Sequence, residues 1–169
     1  MGARGRMAAI RTGALAALAL LAMPGVVEHA ARAAEHVVHL ITEDDAGRFR
    51  FEPPLLLVQP GDDVRFEPDS RQHAVKSVPG MLPEGVKPWR SQMGEPMVLH
   101  LERPGVYGLK CPAHYQVGMV ALILVGDRLA NWRSARAVRH PPMTTEVFER
   151  LFAQAACRLG PDYRDDCHE

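Results

Sequence analysis

Between residues 36 and 125 the chain alternates short apolar segments with turn residues, at intervals of roughly ten positions. Short strands separated by turns at this spacing are typical of a β-sandwich. The last segment, MVALILV, is apolar throughout and is compatible with a strand that is buried on both faces. The predicted strand-like segments are residues 36–41, 49–68 with a break at Pro53-Pro54 and a turn at residues 60–62, 73–78, 97–102, 106–110 and 119–125.

The pattern changes after Asp127. Residues 130–139 show no strand-like alternation, and residues 144–156 place apolar side chains four positions apart, as one face of a helix does. We therefore predict two C-terminal helices. The expected N-cap is Thr144 or Thr145, and the expected acidic residues of the first turn are Glu146 and Glu149.

The first 33 residues have the organisation of a secretory signal peptide. Three arginines precede an apolar run of eleven residues, Gly13–Met23, and a small-x-small sequence, Ala31-Arg32-Ala33, follows it. Eleven apolar residues are too few to cross a hydrocarbon layer of about 30 Å, which argues against a membrane anchor. We therefore expect cleavage before Ala34, a periplasmic protein and no membrane span.

Charge and length place the rest of the chain in an ordinary globular class. The 169 residues include 20 basic and 20 acidic side chains, and without residues 1–33 there remain 16 basic and 19 acidic ones, a net charge of about −3. This balance is not that of a nucleic-acid-binding protein. The remaining length is sufficient for one hydrophobic core. We predict a sandwich of residues 34–127, helices within 128–156 and a tail of 157–169.

Three cysteines occur in the chain, and an exported protein experiences an oxidising environment in which cysteines tend to pair. Cys157 and Cys167 lie close together near the C-terminus, with a Gly-Pro turn between them, and we expect them to form a disulfide. Cys111 is then left over. A metal site would explain an unpaired thiol in an exported protein.

The sequence KCPAHYQVGM places Cys111, His114 and Met119 in a C-x2-H-x4-M pattern. Two histidines and a cysteine in a plane, with a weak axial methionine, form a blue-copper electron-transfer site. The second histidine should come from a neighbouring strand upstream. His73, 38 residues before Cys111, fits this position.

Other chemistries fit the same residues less well. Zinc would need a second nearby Cys/His pair, and methionine is not among its ligands. Iron–sulfur clusters need more cysteines. A Cys–His nucleophile is a further alternative, but the sequence shows no obvious oxyanion-binding arrangement. Taken singly, each of the three could also be a structural Cys, a surface His or a core Met.

The order of motifs over residues 36–156 resembles that of the pseudoazurins, bacterial blue-copper proteins of the cupredoxin family. The resemblance rests on FEPPLLLVQPGDDVRFEP, HAVKSVPGMLPEG, PGVYGLKCPAHYQVGMVALILVGD and the helical tail. It implies a mainly β fold, an eight-stranded Greek-key sandwich with two C-terminal helices. It also implies one copper ion bound by His73, Cys111, His114 and Met119.

Two positions in the ligand loops depart from the usual family pattern. The family has proline directly before the loop histidine, where this chain has Ala113 and carries Pro112 instead. The family has asparagine after the first histidine, where this chain has Ala74. Unlike proline, Ala113 has a backbone N–H. We predict that this N–H donates to the sulfur of Cys111 and raises the reduction potential.

The resemblance implies a monomeric periplasmic electron carrier rather than an enzyme, because a filled copper site offers substrate no open position. It implies that redox proteins such as nitrite reductase, nitrous oxide reductase or c-type cytochromes dock near His114. A copper-delivery protein without a redox role is the alternative. The expected apolar surround of His114 is Pro112, Val117 and Met81, and the expected basic rim is Lys76, Lys87, Arg90 and Lys110.

Overall fold

A computed structural model describes residues 33–45 and 47–167. The predicted signal peptide lies outside the described residues, apart from Ala33. Among the residues described, no helix combines the length and the apolar character that crossing a bilayer requires.

Eight strands form two four-stranded sheets. The first sheet has the order β2-β1-β4-β6 and the second β3-β8-β7-β5. Strand β1 runs parallel to β4, and β3 runs parallel to β8, so each sheet mixes parallel and antiparallel pairs. The strands are β1 (Glu35–Asp44), β2 (Gly47–Glu52), β3 (Leu55–Val58), β4 (Asp62–Pro68), β5 (Lys76–Ser77), β6 (Met97–Leu101), β7 (Gly105–Lys110) and β8 (Val120–Val125).

Strand β8 is buried on both faces, as its continuous apolar sequence predicts. One face, with Ala121 and Ile123, packs into the core between the two sheets. The other face, with Leu122 and Leu124, packs into a second core beneath the helices. The second sheet is therefore the middle layer of the molecule.

The two C-terminal helices are α1 (Trp132–Arg136) and α2 (Pro142–Leu159). The predicted N-cap is wrong, because the N-cap of α2 is Pro141, three to four residues earlier, and the first turn contains no acidic residue. The first helical residue is Pro142. Proline suits this position, since its φ is already helical and it has no N–H to satisfy. The buried Thr144 donates its hydroxyl to the carbonyl of Tyr115, so it joins α2 to the loop that carries the metal motif.

The chain after α2 folds back onto the helices. A 3₁₀ helix, Pro161–Asp166, leads to Cys167, which is disulfide-bonded to Cys157 with a Cα–Cα distance of 4.8 Å. The predicted disulfide is confirmed. Trp132 donates its indole N–H to Asp166 over 2.7 Å, so this segment is also attached to α1.

Candidate metal centre

The loop between β7 and β8 brings the three motif residues together by closing on itself. The Cys111 N–H donates to the Met119 carbonyl over 3.0 Å, and the Met119 N–H donates to the His114 carbonyl over 3.1 Å. A short 3₁₀ turn, Tyr115–Val117, lies between them and ends at Gly118, whose φ is +86°. The C-x2-H-x4-M spacing is therefore the spacing of one compact turn.

His73 reaches this loop from a segment that is not a strand. The sequence predicts a strand over residues 73–78, but only two of these residues form β5. Before β5, the backbone bonds instead to the following loop: Ser91 donates to the Val75 carbonyl over 2.9 Å, and Gly94 donates to the His73 carbonyl over 2.7 Å. These bonds leave the His73 side chain completely buried, facing the β7–β8 loop.

Three potential ligand atoms converge at the end of the sandwich. The Nδ1 atoms of His73 and His114 lie 3.8 Å and 3.7 Å from Cys111 Sγ, and the three ligand atoms lie within 4.8 Å of one another. A metal about 2.0 Å from nitrogen and about 2.3 Å from sulfur, with a roughly 120° angle, requires a nitrogen–sulfur separation of about 3.7 Å. The spacing therefore fits a metal in the plane of two imidazoles and a thiolate.

The far side of the His73 ring is held by polar groups. Its Nε2 lies 3.0 Å from Thr42 Oγ1 and 3.3 Å from Asp69 Oδ1, and the Thr42 hydroxyl itself donates to Asp69. An Nε2–H tautomer satisfies these contacts and leaves the Nδ1 lone pair free to bind a metal. Burial lowers the pKa of His73, although Asp69 opposes this effect, and the neutral form is the one that binds a metal.

Met119 belongs to the same buried cluster as Cys111 and is itself fully buried. Cys111 is a free cysteine and is completely buried. His114 is only half-buried. Of the four predicted site residues, the imidazole of His114 is therefore the group with access to the surface.

Phe49 is a neighbour of the site that sequence reasoning missed. Its ring stacks on that of His114, with centroids 3.9 Å apart and planes 10° from parallel. The alternating sequence FRFE suggests that Phe49 faces inward, but it does not indicate which residue the ring meets. Thr42 and Asp69 were also missed, because nothing in a single sequence links them to His73.

The predicted surround of His114 is partly wrong. Met81 is fully buried, since the Gly108 N–H donates to its carbonyl and its side chain lies directly over that glycine of β7. Val117, in contrast, is 48% exposed.

Basic residues form a strip across the sheet next to the loop. In the backbone pairing of this sheet, Lys76 lies opposite both Lys110 and Arg90.

The hydrogen bond predicted from Ala113 is absent. Among the hydrogen bonds of the described residues, the contacts of Cys111 Sγ are with His73 and His114, and the Ala113 N–H does not donate to it. The contacts of Cys111 Sγ therefore give no support to a reduction potential raised by this N–H.

Comparison with known proteins identifies the family. Residues 38–126 match the family of copper-binding proteins that includes plastocyanin and azurin. A pseudoazurin of Methylorubrum extorquens is 37% identical over 141 residues, which are 83% of this chain and 95% of that protein. A pseudoazurin of Paracoccus pantotrophus is also 37% identical, over 83% of this chain and 93% of its own length. The chain belongs to the pseudoazurin family.

The fold of this pseudoazurin-family chain agrees with that assignment. The crystal structure of pseudoazurin from Methylobacterium extorquens matches it with a TM-score of 0.69 and 36% identity, covering 72% of this chain and 98% of that one. The predicted cupredoxin sandwich with two C-terminal helices is thereby confirmed. Copper is the cofactor, as predicted, and the cluster of His73, Cys111 and His114 fits a type 1 site.

Proposed function

We propose that His73, Cys111, His114 and Met119 bind one copper ion and that the protein is a periplasmic electron carrier. The observation that carries the proposal is the convergence of two imidazole nitrogens on one buried thiol at distances suited to a shared metal. Copper bound there would supply a centre that accepts and releases one electron. The burial of His73, Cys111 and Met119 would restrict movement of these ligands when the electron is gained or lost.

The burial of the ligands favours an electron carrier over the alternatives. His73, Cys111 and Met119 are completely buried, so the site does not present them to an incoming chaperone, as copper delivery would require. Four protein ligands also leave no open position for a substrate, which argues against an enzyme.

Electrons would enter and leave through the edge of His114, because the other three residues are enclosed. The exposed Val117 lies on the same loop and offers apolar contact. Lys110 directly precedes the loop and lies 4.1 Å over the Tyr115 ring, so the basic strip adjoins the exit. Such a surface suits brief docking with an acidic redox partner, and by family these include nitrite reductase, nitrous oxide reductase and c-type cytochromes.

The periplasmic location rests on two features. The sequence begins with the organisation of a signal peptide, and Cys157 is disulfide-bonded to Cys167, a bond that persists in an oxidising compartment.

The visible spectrum of the protein loaded with Cu(II) tests this proposal. We expect an intense thiolate-to-copper band at one copper per chain, since a covalent Cu–S bond produces it. Cys111→Ser should abolish the band, whereas the double change Cys157→Ser and Cys167→Ser should retain it. A parent protein that binds Cu(II) without this band would reject a type 1 site.

A further inference from the structure

The stack of Phe49 on His114 forms where the pairing of β1 and β2 is interrupted. The register pairs Ile41 with Arg50 and Glu43 with Arg48, but the intervening positions, Thr42 and Phe49, are not paired. At this gap each strand turns a residue towards the metal centre. Thr42 contacts Nε2 of His73, and Phe49 covers the ring of His114.

The backbone of Phe49 supports a specific role for its ring. Its φ is +48°, in the left-handed region that bulky residues avoid. Phe49 is the one non-glycine residue with positive φ among those the structure describes. Such conformations persist where surrounding contacts over-determine them, and they cluster at functional sites. In this conformation the Phe49 ring stacks on His114 and lies in an edge arrangement with the His73 ring, with the two centroids 6.3 Å apart.

We infer that Phe49 is a positioning residue for His114 that also biases the copper site towards its oxidised state. This inference rests on the proposed function. The face of an aromatic ring carries negative charge density. An imidazole bound to Cu(II) is poorer in electrons than one bound to Cu(I), so the stack favours the oxidised form. The flat contact also restricts rotation of the His114 ring, which must keep Nδ1 directed at the metal.

Two substitutions separate the aromatic face from the apolar volume. Phe49→Leu keeps an apolar side chain that excludes water but lacks a ring. Phe49→Tyr keeps the ring. Phe66→Leu is the matched control, because Phe66 is a buried phenylalanine whose ring contacts Trp89 and, among the described residues, stacks on no histidine.

The first measurement uses the metal-free protein and does not depend on copper. In the parent and in Phe49→Tyr, the ring protons of His114 should be shifted upfield by the stacked ring and should show nuclear Overhauser contacts to it. Phe49→Leu should lose the upfield shift, and Phe66→Leu should keep it. A parent protein without these contacts would overturn the inference, even if the Leu variant failed to fold.

The second measurement is the reduction potential of the copper-loaded proteins, with the electron paramagnetic resonance spectrum of Cu(II). Phe49→Leu should weaken Cu(II) binding relative to Cu(I) by roughly threefold, which raises the potential by about 30 mV at 59 mV per tenfold for one electron. Phe49→Tyr and Phe66→Leu should stay near the parent value. An unchanged potential and unchanged Cu(II) spectrum in Phe49→Leu would overturn the inference. Absence of the thiolate-to-copper band from the parent would instead reject the proposed function.

Discussion

At the scale of single residues, His73 is held from both sides. Its Nδ1 faces Cys111 Sγ, while its Nε2 contacts Thr42 Oγ1 at 3.0 Å. The Thr42 hydroxyl donates to Asp69 Oδ1, and the Thr42 N–H donates to the other carboxylate oxygen over 2.7 Å. The half-buried Thr42 therefore links a completely buried imidazole to a carboxylate that is 41% exposed. Such outer partners fix the tautomer and the orientation of a ligating histidine.

Removing the Thr42 hydroxyl should weaken copper binding. In Thr42→Val the shape is nearly preserved, but the Nε2–H of His73 loses its nearest acceptor. We expect copper affinity to fall by about 10- to 100-fold and the free energy of unfolding of the metal-free protein to fall by about 1–3 kcal/mol. Competition with a copper chelator and urea unfolding measure the two effects.

Thr145→Val is the matched control for this experiment. The Thr145 hydroxyl is likewise a hydrogen-bond donor, but its acceptors are the backbone carbonyls of His140 and Pro141 at the start of α2. It has no contact with His73, so this variant should retain the copper affinity of the parent. Equal affinity in the Thr42 and Thr145 variants would show that Asp69 alone orients the imidazole.

At the scale of secondary-structure elements, the metal-binding loop packs against the first half of α2. Gly118 ends the 3₁₀ turn at φ +86°. A Cβ added there would lie 3.0 Å from Val147 Cγ2 and 3.4 Å from the Met143 carbonyl oxygen, both in α2. Two different requirements, backbone conformation and helix contact, therefore favour glycine directly before Met119.

Gly118→Ala should destabilise the protein and disturb the metal site together. The left-handed conformation alone costs alanine about 1–2 kcal/mol, and crowding against α2 adds to this cost. Gly126→Ala isolates the conformational cost, since Gly126 also has positive φ, +66°, but its added Cβ would make only ordinary contacts at 3.6 Å. Thermal unfolding and the Cu(II) spectrum of both variants make the comparison. A smaller loss of stability in Gly118→Ala than in Gly126→Ala would contradict the role of α2.

The same elements show what a single sequence can predict. Strand β8 was predictable because both of its faces are buried and its sequence is apolar at every position. The start of α2 was not, because Thr144 resembles a capping residue but donates its hydroxyl to Tyr115 on a different element. The spacing of Cys111, His114 and Met119 is local and therefore visible in sequence. The contacts of Thr42 and Phe49 arise only when the sheet forms, and no local pattern encodes them.

At the scale of the whole molecule, Asp62 fastens the start of the described fold to the turn between β3 and β4. Its side chain is buried and accepts hydrogen bonds from the N–H groups of Ala34 and Gln59 and contacts His36 Nε2, each at 2.9 Å. The backbone hydrogen bonds from Ala34 and Gln59, together with His36, lower the pKa of Asp62 from 3.8 to about 2. A lowered pKa means that the ionised form stabilises the fold above pH 3.8, and this contribution is lost as the pH falls towards 2.

Cleavage before Ala34, as the sequence predicts, would turn the nitrogen bonded to Asp62 into a charged amino terminus. Charge-assisted hydrogen bonds are stronger than neutral ones, so processing should strengthen this contact. At pH 6 we expect a chain beginning at Ala34 to exceed its N-acetylated form in unfolding free energy by about 1 kcal/mol, the difference between bonds to charged and to neutral donors. Asp62→Asn should remove most of that difference. Equal stability of the free and acetylated chains, measured by urea unfolding, would show that the amino terminus does not pair with Asp62.

Mass spectrometry of the exported protein locates the cleavage site independently. A mature chain that starts at a residue other than Ala34 would refute the predicted cleavage site.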